Sequence, residues 1–385
     1  MNWWYGGVPI IGSYTTAEEA QVPRNTEAEV REQIAQDLDD ALTAINTTPA
    51  ARGRIAKGAV LATKMREALY YGDWQKAKDA AQAIIDLKQY ELDSDYENLF
   101  KLSGIDSKEI ILADQRLESV FGLGVIGQMY NNDDAGWSSI VPTQNLVDMY
   151  EMDNGLTKEE ATGYYDAKHP FANRDPRMDM TILYPGQEWR GKILNTLDEK
   201  LADGSKNKNF PTYTDNASKT ALTWAKYLDP YEQYSNIWNT AACVIIFRYA
   251  EVLLNYAEAM AEWKGESYTD DKHTMTATAA LNQVRNAANM PNITTTGDAF
   301  KESVRRERRV ELAFEDHRFW DIRRWKIGEQ TQKIYRTKIT KQSDGSFRYE
   351  KVLLEERNWE NKMYLYPIPL SEQILNNNLG QNPGW

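Results

Sequence analysis

Apolar residues recur at three- and four-residue steps along several stretches of the chain, beginning with Val30, Ile34, Leu38, Ala41 and Ile45. That spacing predicts an amphipathic helix over residues 26–45, acidic on its outer face, with Glu27 and Glu29 suited to its first turn. A second helix is expected over 56–70. The segment Tyr71-Gly72-Asp73-Trp74 interrupts it before Ala77, Ala80, Ala81, Ile84 and Ile85 mark a third. The small alanines on the third helix allow the second to approach closely.

Helix, tight turn and helix in this order look like a tetratricopeptide unit, whose paired helices stack by burying small and aromatic residues. A second such unit is expected much later, over 247–263 and 276–288, with Tyr256, Ala257, Ala259, Leu281 and Val284 facing inward. The long interval between the two argues against a continuous solenoid. Residues 91–240 are rich in Gly, Asn, Asp, Tyr and Trp and are broken by Pro142, Pro170, Pro176, Pro185 and Pro211. They read as a long irregular insertion, and connections of that length usually carry function. A charged helix is expected over 301–325, then a hairpin within 333–349 turning through Asp344-Gly345. The expected fold class is therefore mainly α, with helix pairs supporting a loop-rich region. Residues 1–90 form one helical part. Residues 91–385 form the other, with a ligand face (91–240) and a helical-repeat and charged-helix segment (241–385), all in one compact unit.

Composition narrows the function. At 385 residues and 42% apolar content the chain can bury a sizeable core, while a net charge of −12 repels phosphate backbones and anionic lipid. Nucleic acid is therefore not an expected partner, and neutral ligands are. The 22 tyrosines and 12 tryptophans exceed what a core needs, and both rings pair a flat apolar face with a polar edge. The single cysteine, Cys243, excludes an internal disulfide and reads as a small buried residue of an apolar run. No stretch reaches the roughly 20 apolar residues of a membrane span. The first residues show neither a basic, apolar export leader nor a lipidated cysteine. They open on Asn2, Trp3, Trp4 and Tyr5 as if inside a domain, which predicts that an upstream portion is missing.

Motifs with catalytic or cofactor chemistry fare poorly. Gly122, Gly124 and Gly127 spell G-x-G-x-x-G, but the strand expected at 109–113 ends too early, and Gln-Met-Tyr-Asn-Asn-Asp-Asp cannot open a phosphate-binding helix. Asp93, Asp95 and Glu97 alternate as in a calcium loop, yet Asn98 and Gly104 stand where Gly and Glu are required. His169, His273 and His317 lie far apart, without zinc-ligand spacing. The bases of 305–325 are matched by Glu307, Glu311, Glu315, Asp316 and Asp321, with local pairs such as Arg308 to Glu311 and Glu315 to Arg318. With Val310, Ala313, Phe314, Phe319, Ile322 and Trp325 inward, the segment reads as a structural helix tied by ion pairs. No cofactor, metal or catalytic residue is expected.

Several of these segments resemble the SusD/RagB family. They are F-R-Y-A-E-V-L-L-N-Y-A-E-A from Phe247, A-L-N-Q-V-R-N-A-A-N-M-P from Ala280, E-R-R-V-E-L-A-F-E-D-H-R-F-W-D-I-R-R-W from Glu307, and Y-P-I-P with the closing N-N-N-L-G-Q-N-P-G-W. Y-G-G-V-P-I-I at Tyr5, the G-D-W turn, P-T-Q-N-L-V-D-M-Y-E at Pro142 and N-R-D-P-R at Asn173 fit the same order. The resemblance implies a SusD-like α-α superhelix, a surface lipoprotein of the Bacteroidetes outer membrane, and non-catalytic binding of glycan for nutrient uptake. It also implies a partner, a SusC-like TonB-dependent transporter. The family's export signal, lipidated cysteine and first repeat helices are missing from this chain. A glycan hydrolase on a helical scaffold and a helical-repeat scaffold for protein partners remain as alternatives.

A pyranose offers an apolar C–H face to an aromatic ring and a rim of hydroxyls to amides and carboxylates. By that chemistry the expected platform is Trp137, with Asn131, Asn132 and Asp133 as its polar company and Trp189 and Tyr213 as further rings.

Overall fold

The computed structural model describes residues 1–51, 53–212 and 216–385. The first periodic segment forms helix α1 (Glu27–Ala44). Its N-cap Thr26 accepts from Glu29 N at 3.2 Å while the Glu29 side chain accepts from Thr26 N at 2.7 Å, a reciprocal box that satisfies two otherwise orphaned donors. Helices α2 (Lys57–Tyr70) and α3 (Trp74–Asp86) follow, joined by a turn in which Gly72 takes a φ of 74° that a side chain would resist. After the insertion come α4 (Tyr249–Trp263), α5 (Ala277–Ala287) and α6 (Gly297–Glu311). No helix among the described residues is long and apolar enough to cross a membrane.

The two helix pairs, though remote in sequence, stack directly on each other. Strand β1 (Ile110–Asp114), which follows the first pair, runs antiparallel to β2 (Val244–Arg248), which leads straight into α4. This pairing closes the insertion at its base and lays α3 against α4. Met65, Ala81 and Ile84 of the first pair share one core with Leu253, Tyr256, Ala257, Met260, Leu281 and Val284 of the second, extended by Phe300 and Val304 of α6. Each such large side chain buried adds about 1.5–3 kcal/mol, and buried alanines let the helices approach. The expected break in the helical array is therefore one of sequence, not of space.

The charged segment also departs from expectation. It is two helices, α6 and α7 (His317–Arg324), separated by a turn in which Phe314 and Asp316 adopt φ values of 64° and 65°. Local pairs are present, Arg305 with Glu302 and Arg324 with Asp321, but its central acids are paired tertiarily. Glu307 and Glu311 both accept from Arg177 of the insertion, Glu307 also from Arg285 of α5, and Glu311 also from Arg248 of β2. Glu315 accepts from Arg248 and from the buried Lys226 rather than from Arg318. Burial alone would raise the Glu311 carboxyl, but the Arg248 and Arg177 guanidiniums overcome it and hold it at about 2. Cys243 is half-buried beside β2 rather than buried.

The expected hairpin is present as β3 (Lys333–Lys341) and β4 (Phe347–Glu356), in continuous antiparallel register apart from one bulge. The first residues pack on the body: Trp3 stacks on Tyr70 at 4.5 Å, and the Trp4 carbonyl accepts from Tyr366 N at 2.7 Å.

Candidate functional site

The insertion is short of regular structure but not of core. Leu99, Ile126, Tyr130, Trp224 and Leu228 form one buried cluster, and Val147, Tyr150, Met178 and Leu222 form a second beneath α6. Asn131, Asn132, Asp133 and Trp137 sit on a loop beside the first cluster, and Trp189 on a short strand packed against it.

Trp137 lies on the loop after a 3-10 turn (Asn132–Asp134) and is 46% exposed. Its backbone is fixed: Trp137 N donates to Gly127 O at 3.1 Å and Ser138 N to Tyr130 O at 2.9 Å. Its indole packs against that of Trp238 with centroids 4.4 Å apart. Trp238 in turn rests on Gly127, where an added Cβ would come within 2.5 Å of its ring. Gly122 packs equally closely on Asn239 and carries the 63% exposed Phe121 beside it. The G-x-G-x-x-G pattern thus marks close approach of residues 238–239, not a phosphate cradle.

Asn131 is buried and spends its amide on its own loop, accepting from Asp133 N and Asp134 N and donating to Asp134. Asn132 and Asp133 tie this loop to Asn209: Asn132 N donates to Asn209 Oδ1 at 2.9 Å, and Asn209 Nδ2 donates to Asp133 Oδ2 at 2.6 Å. Trp189 is half-buried and donates its indole N–H to Asp134 at 2.7 Å. Asn131, Asp133 and Trp189 line a cleft of about 90 Å³ with Asp134, Arg190 and Glu232, while Trp137 is outside that lining. The expected residues within the described chain therefore fall on two features, the exposed Trp137 indole resting on the half-buried Trp238 and a small polar cleft. Tyr213 lies outside the described residues.

Sequence reasoning missed Trp238 and Arg190. The only signal for Trp238 was Gly127, whose missing side chain makes room for a bulky neighbour. Asp93 and Asp95 serve turns, accepting from Asp95 N and Asn98 N respectively. No cluster of metal-ligating side chains occurs among the described residues.

A profile of the SusD family matches residues 108–385. Two SusD-like proteins of Formosa agariphila, P2 and P38, are 24% and 23% identical over 99% and 83% of the chain, which spans 70% and 62% of their lengths. A crystal structure of a SusD-like carbohydrate binding protein from Bacteroides fragilis superposes with a TM-score of 0.84 at 30% identity, covering 98% of this chain and 76% of that one. A second SusD-like protein of the same species gives 0.82 at 27% identity, covering 100% and 76%.

Proposed function

The chain belongs to the SusD family, and on that premise we propose that it binds glycan, without catalysis, on the surface built around Trp137 and Trp238. The bound oligosaccharide is held at the outer face of the bacterial outer membrane and delivered to a SusC-like TonB-dependent transporter. One observation carries the reading: an exposed indole, braced from behind by a second indole, stands beside a loop dense in amides and carboxylates. A sugar's C–H face stacks on such a ring, and its hydroxyls find partners at the edge. The 30%-identical Bacteroides fragilis relative, described as carbohydrate binding, supports the ligand class.

Affinity electrophoresis on a panel of polysaccharides tests this. The parent should be retarded by at least one glycan without releasing reducing ends, and Trp137→Ala should lose on the order of 1–3 kcal/mol of that binding. Equal retention of Trp137→Ala removes Trp137 as the platform, and release of reducing ends would favour a hydrolase.

A further inference from the structure

The buried arginines of this protein are answered almost one by one. Arg177, Arg248, Arg285, Arg308 and Arg324 each meet at least one carboxylate, and Arg174 donates to the carbonyls of Val147, Tyr150 and Pro170. Arg323 has only long bonds to the carbonyls of Phe319 and Met363 and lies over the Phe319 ring. The half-buried Arg309 of α6 and Arg318 of α7 are likewise without a carboxylate among the described residues. Each has five donors. Among the described residues Arg309 donates to Asn145 O at 3.1 Å and Arg318 makes one weak bond, to Gln330 Oε1 at 3.4 Å. Both line one cavity of about 470 Å³ at the turn between the two helices, within the size range of small-molecule sites.

Burial pushes the Arg309 guanidinium down from its ordinary value, and the Arg318 charge facing it pushes the same way. The acids nearby offset the pair only in part, Asp148 acting on Arg309 and Asp321 on Arg318. Asp148 is bound to Lys158 and Lys351 and Asp321 to Arg308 and Arg324, while Asp316, also in the lining, stays at the exposed rim with no ion-pair partner among the described residues. His317, also in the lining, is driven towards its neutral form by burial and by Arg66 and Arg308. The remaining wall is apolar: Trp224 stacked on Phe314 at 3.7 Å, with Phe319 and Leu146. The Trp224 indole N–H has no partner there among the described residues. The turn that opens the cavity holds bulky Phe314 at a φ of 64°, a strained conformation of the kind that collects at binding sites.

We propose that this cavity is a second binding site, which takes the oxyanion of an acidic sugar, a uronate carboxylate or a sulfate ester, between Arg309 and Arg318 with the sugar ring against the aromatic wall. Paired guanidiniums match the planar, multidentate geometry of such groups, and the wall suits a pyranose face. The saccharide half of this inference rests on the glycan-binding reading above; the anion half does not.

The test is isothermal titration of the whole chain with sodium glucuronate, glucose 6-sulfate, glucose and inorganic sulfate. At least one acidic sugar should bind saturably and glucose roughly tenfold more weakly, the scale of one lost charge-assisted hydrogen bond. Arg309→Gln and Arg318→Gln should each weaken the acidic sugar about tenfold or more. Their melting temperatures should not fall, because each substitution relieves repulsion between unpaired cations. Should Arg309→Gln not fold, the half-buried Arg318 still supplies the variant. Glucose binding as well as both acidic sugars, variants binding like the parent, or a fall in melting temperature with binding unchanged would overturn the site. Inorganic sulfate matching the acidic sugars would overturn its saccharide half. Trp137→Ala should titrate like the parent here, so failure of the indole platform and failure of this cavity are read separately.

Discussion

Arg248 and Glu315 meet in a two-pronged ion pair, Nε donating to Oε2 at 2.6 Å and Nη2 to Oε1 at 2.7 Å, with both side chains almost wholly buried. Arg248 ends β2 and caps α4, while Glu315 lies in the turn after α6, so one side chain ties the base of the insertion to the helical array. It also bonds Glu109, next to β1, and Glu311. Arg248→Met would leave three buried carboxylates short of their cation. The expected cost is about 3–5 kcal/mol, that of breaking a buried pair by removing one partner. Chemical denaturation of the variant measures it, and a loss below about 1 kcal/mol would mean that the pair is no more than a surface contact in effect.

Acid should act on the same network. Glu311 and Glu258 are fully buried, which alone would raise them. Arg248 and Arg177 for the first, and Arg324 and Arg308 for the second, instead bring both to about 2 from an ordinary 4.5. Between those values the unfolded chain binds protons that the folded one does not, so this contribution to stability is complete above pH 4.5 and is lost as pH falls towards 2. Glu109 and Glu151, raised by burial, act in the opposite sense. Denaturation midpoints should therefore drop below about pH 4.5 in the parent and less steeply in Glu311→Gln. Parallel pH profiles for the two proteins would show that Glu311 is not the group responsible.

The helices were legible because their apolar spacing is local: Ala77 to Ile85 and the runs within α4 and α5 each declare a buried face without help from elsewhere, while Val30 to Ile45 mark a helix whose stripe, Val30 apart, is only half-buried. The break between α6 and α7 was not, since Phe314 and Phe319 continue an amphipathic stripe and nothing in a phenylalanine announces a positive φ. Partners of the buried charges were equally hidden. Glu311 reads as a neighbour of Arg308, yet its carboxylate points to Arg177 and Arg248, residues brought in by the insertion and by β2. For the candidate site, composition pointed to the loop that carries Trp137, but Trp137 and Trp238 meet only through tertiary packing that no short-range pattern encodes.

Gly127 offers a direct test of that packing. A Cβ there would meet the Trp238 ring at 2.5 Å, against the body of the indole rather than a flexible tip. Gly127→Ala should displace Trp238 and leave Trp137 without its brace. Glycan retention is expected to fall while the far-ultraviolet helical signal is preserved, because the helical core lies elsewhere. Retention equal to the parent's would show that the second indole contributes nothing to the surface.

The two tryptophans expected from the sequence as sugar platforms, Trp137 and Trp189, should separate in their effect on folding. Trp189 packs against two buried clusters, and its N–H donates to Asp134, which also binds Arg190. Trp189→Ala removes the ring, vacates its place in both clusters and leaves the buried Asp134 short of a donor. Its half-buried position puts the expected loss at about 2–4 kcal/mol, below the range of a wholly buried tryptophan at the lower end. Trp137, nearly half exposed and in contact with Trp238 on one side, should cost under about 1 kcal/mol on replacement by alanine. Thermal melts of the two variants beside the parent measure both values. A clear fall in melting temperature for Trp137→Ala would make it a packing residue of its loop, and an unchanged melting temperature for Trp189→Ala would free Trp189 to be read as a second platform.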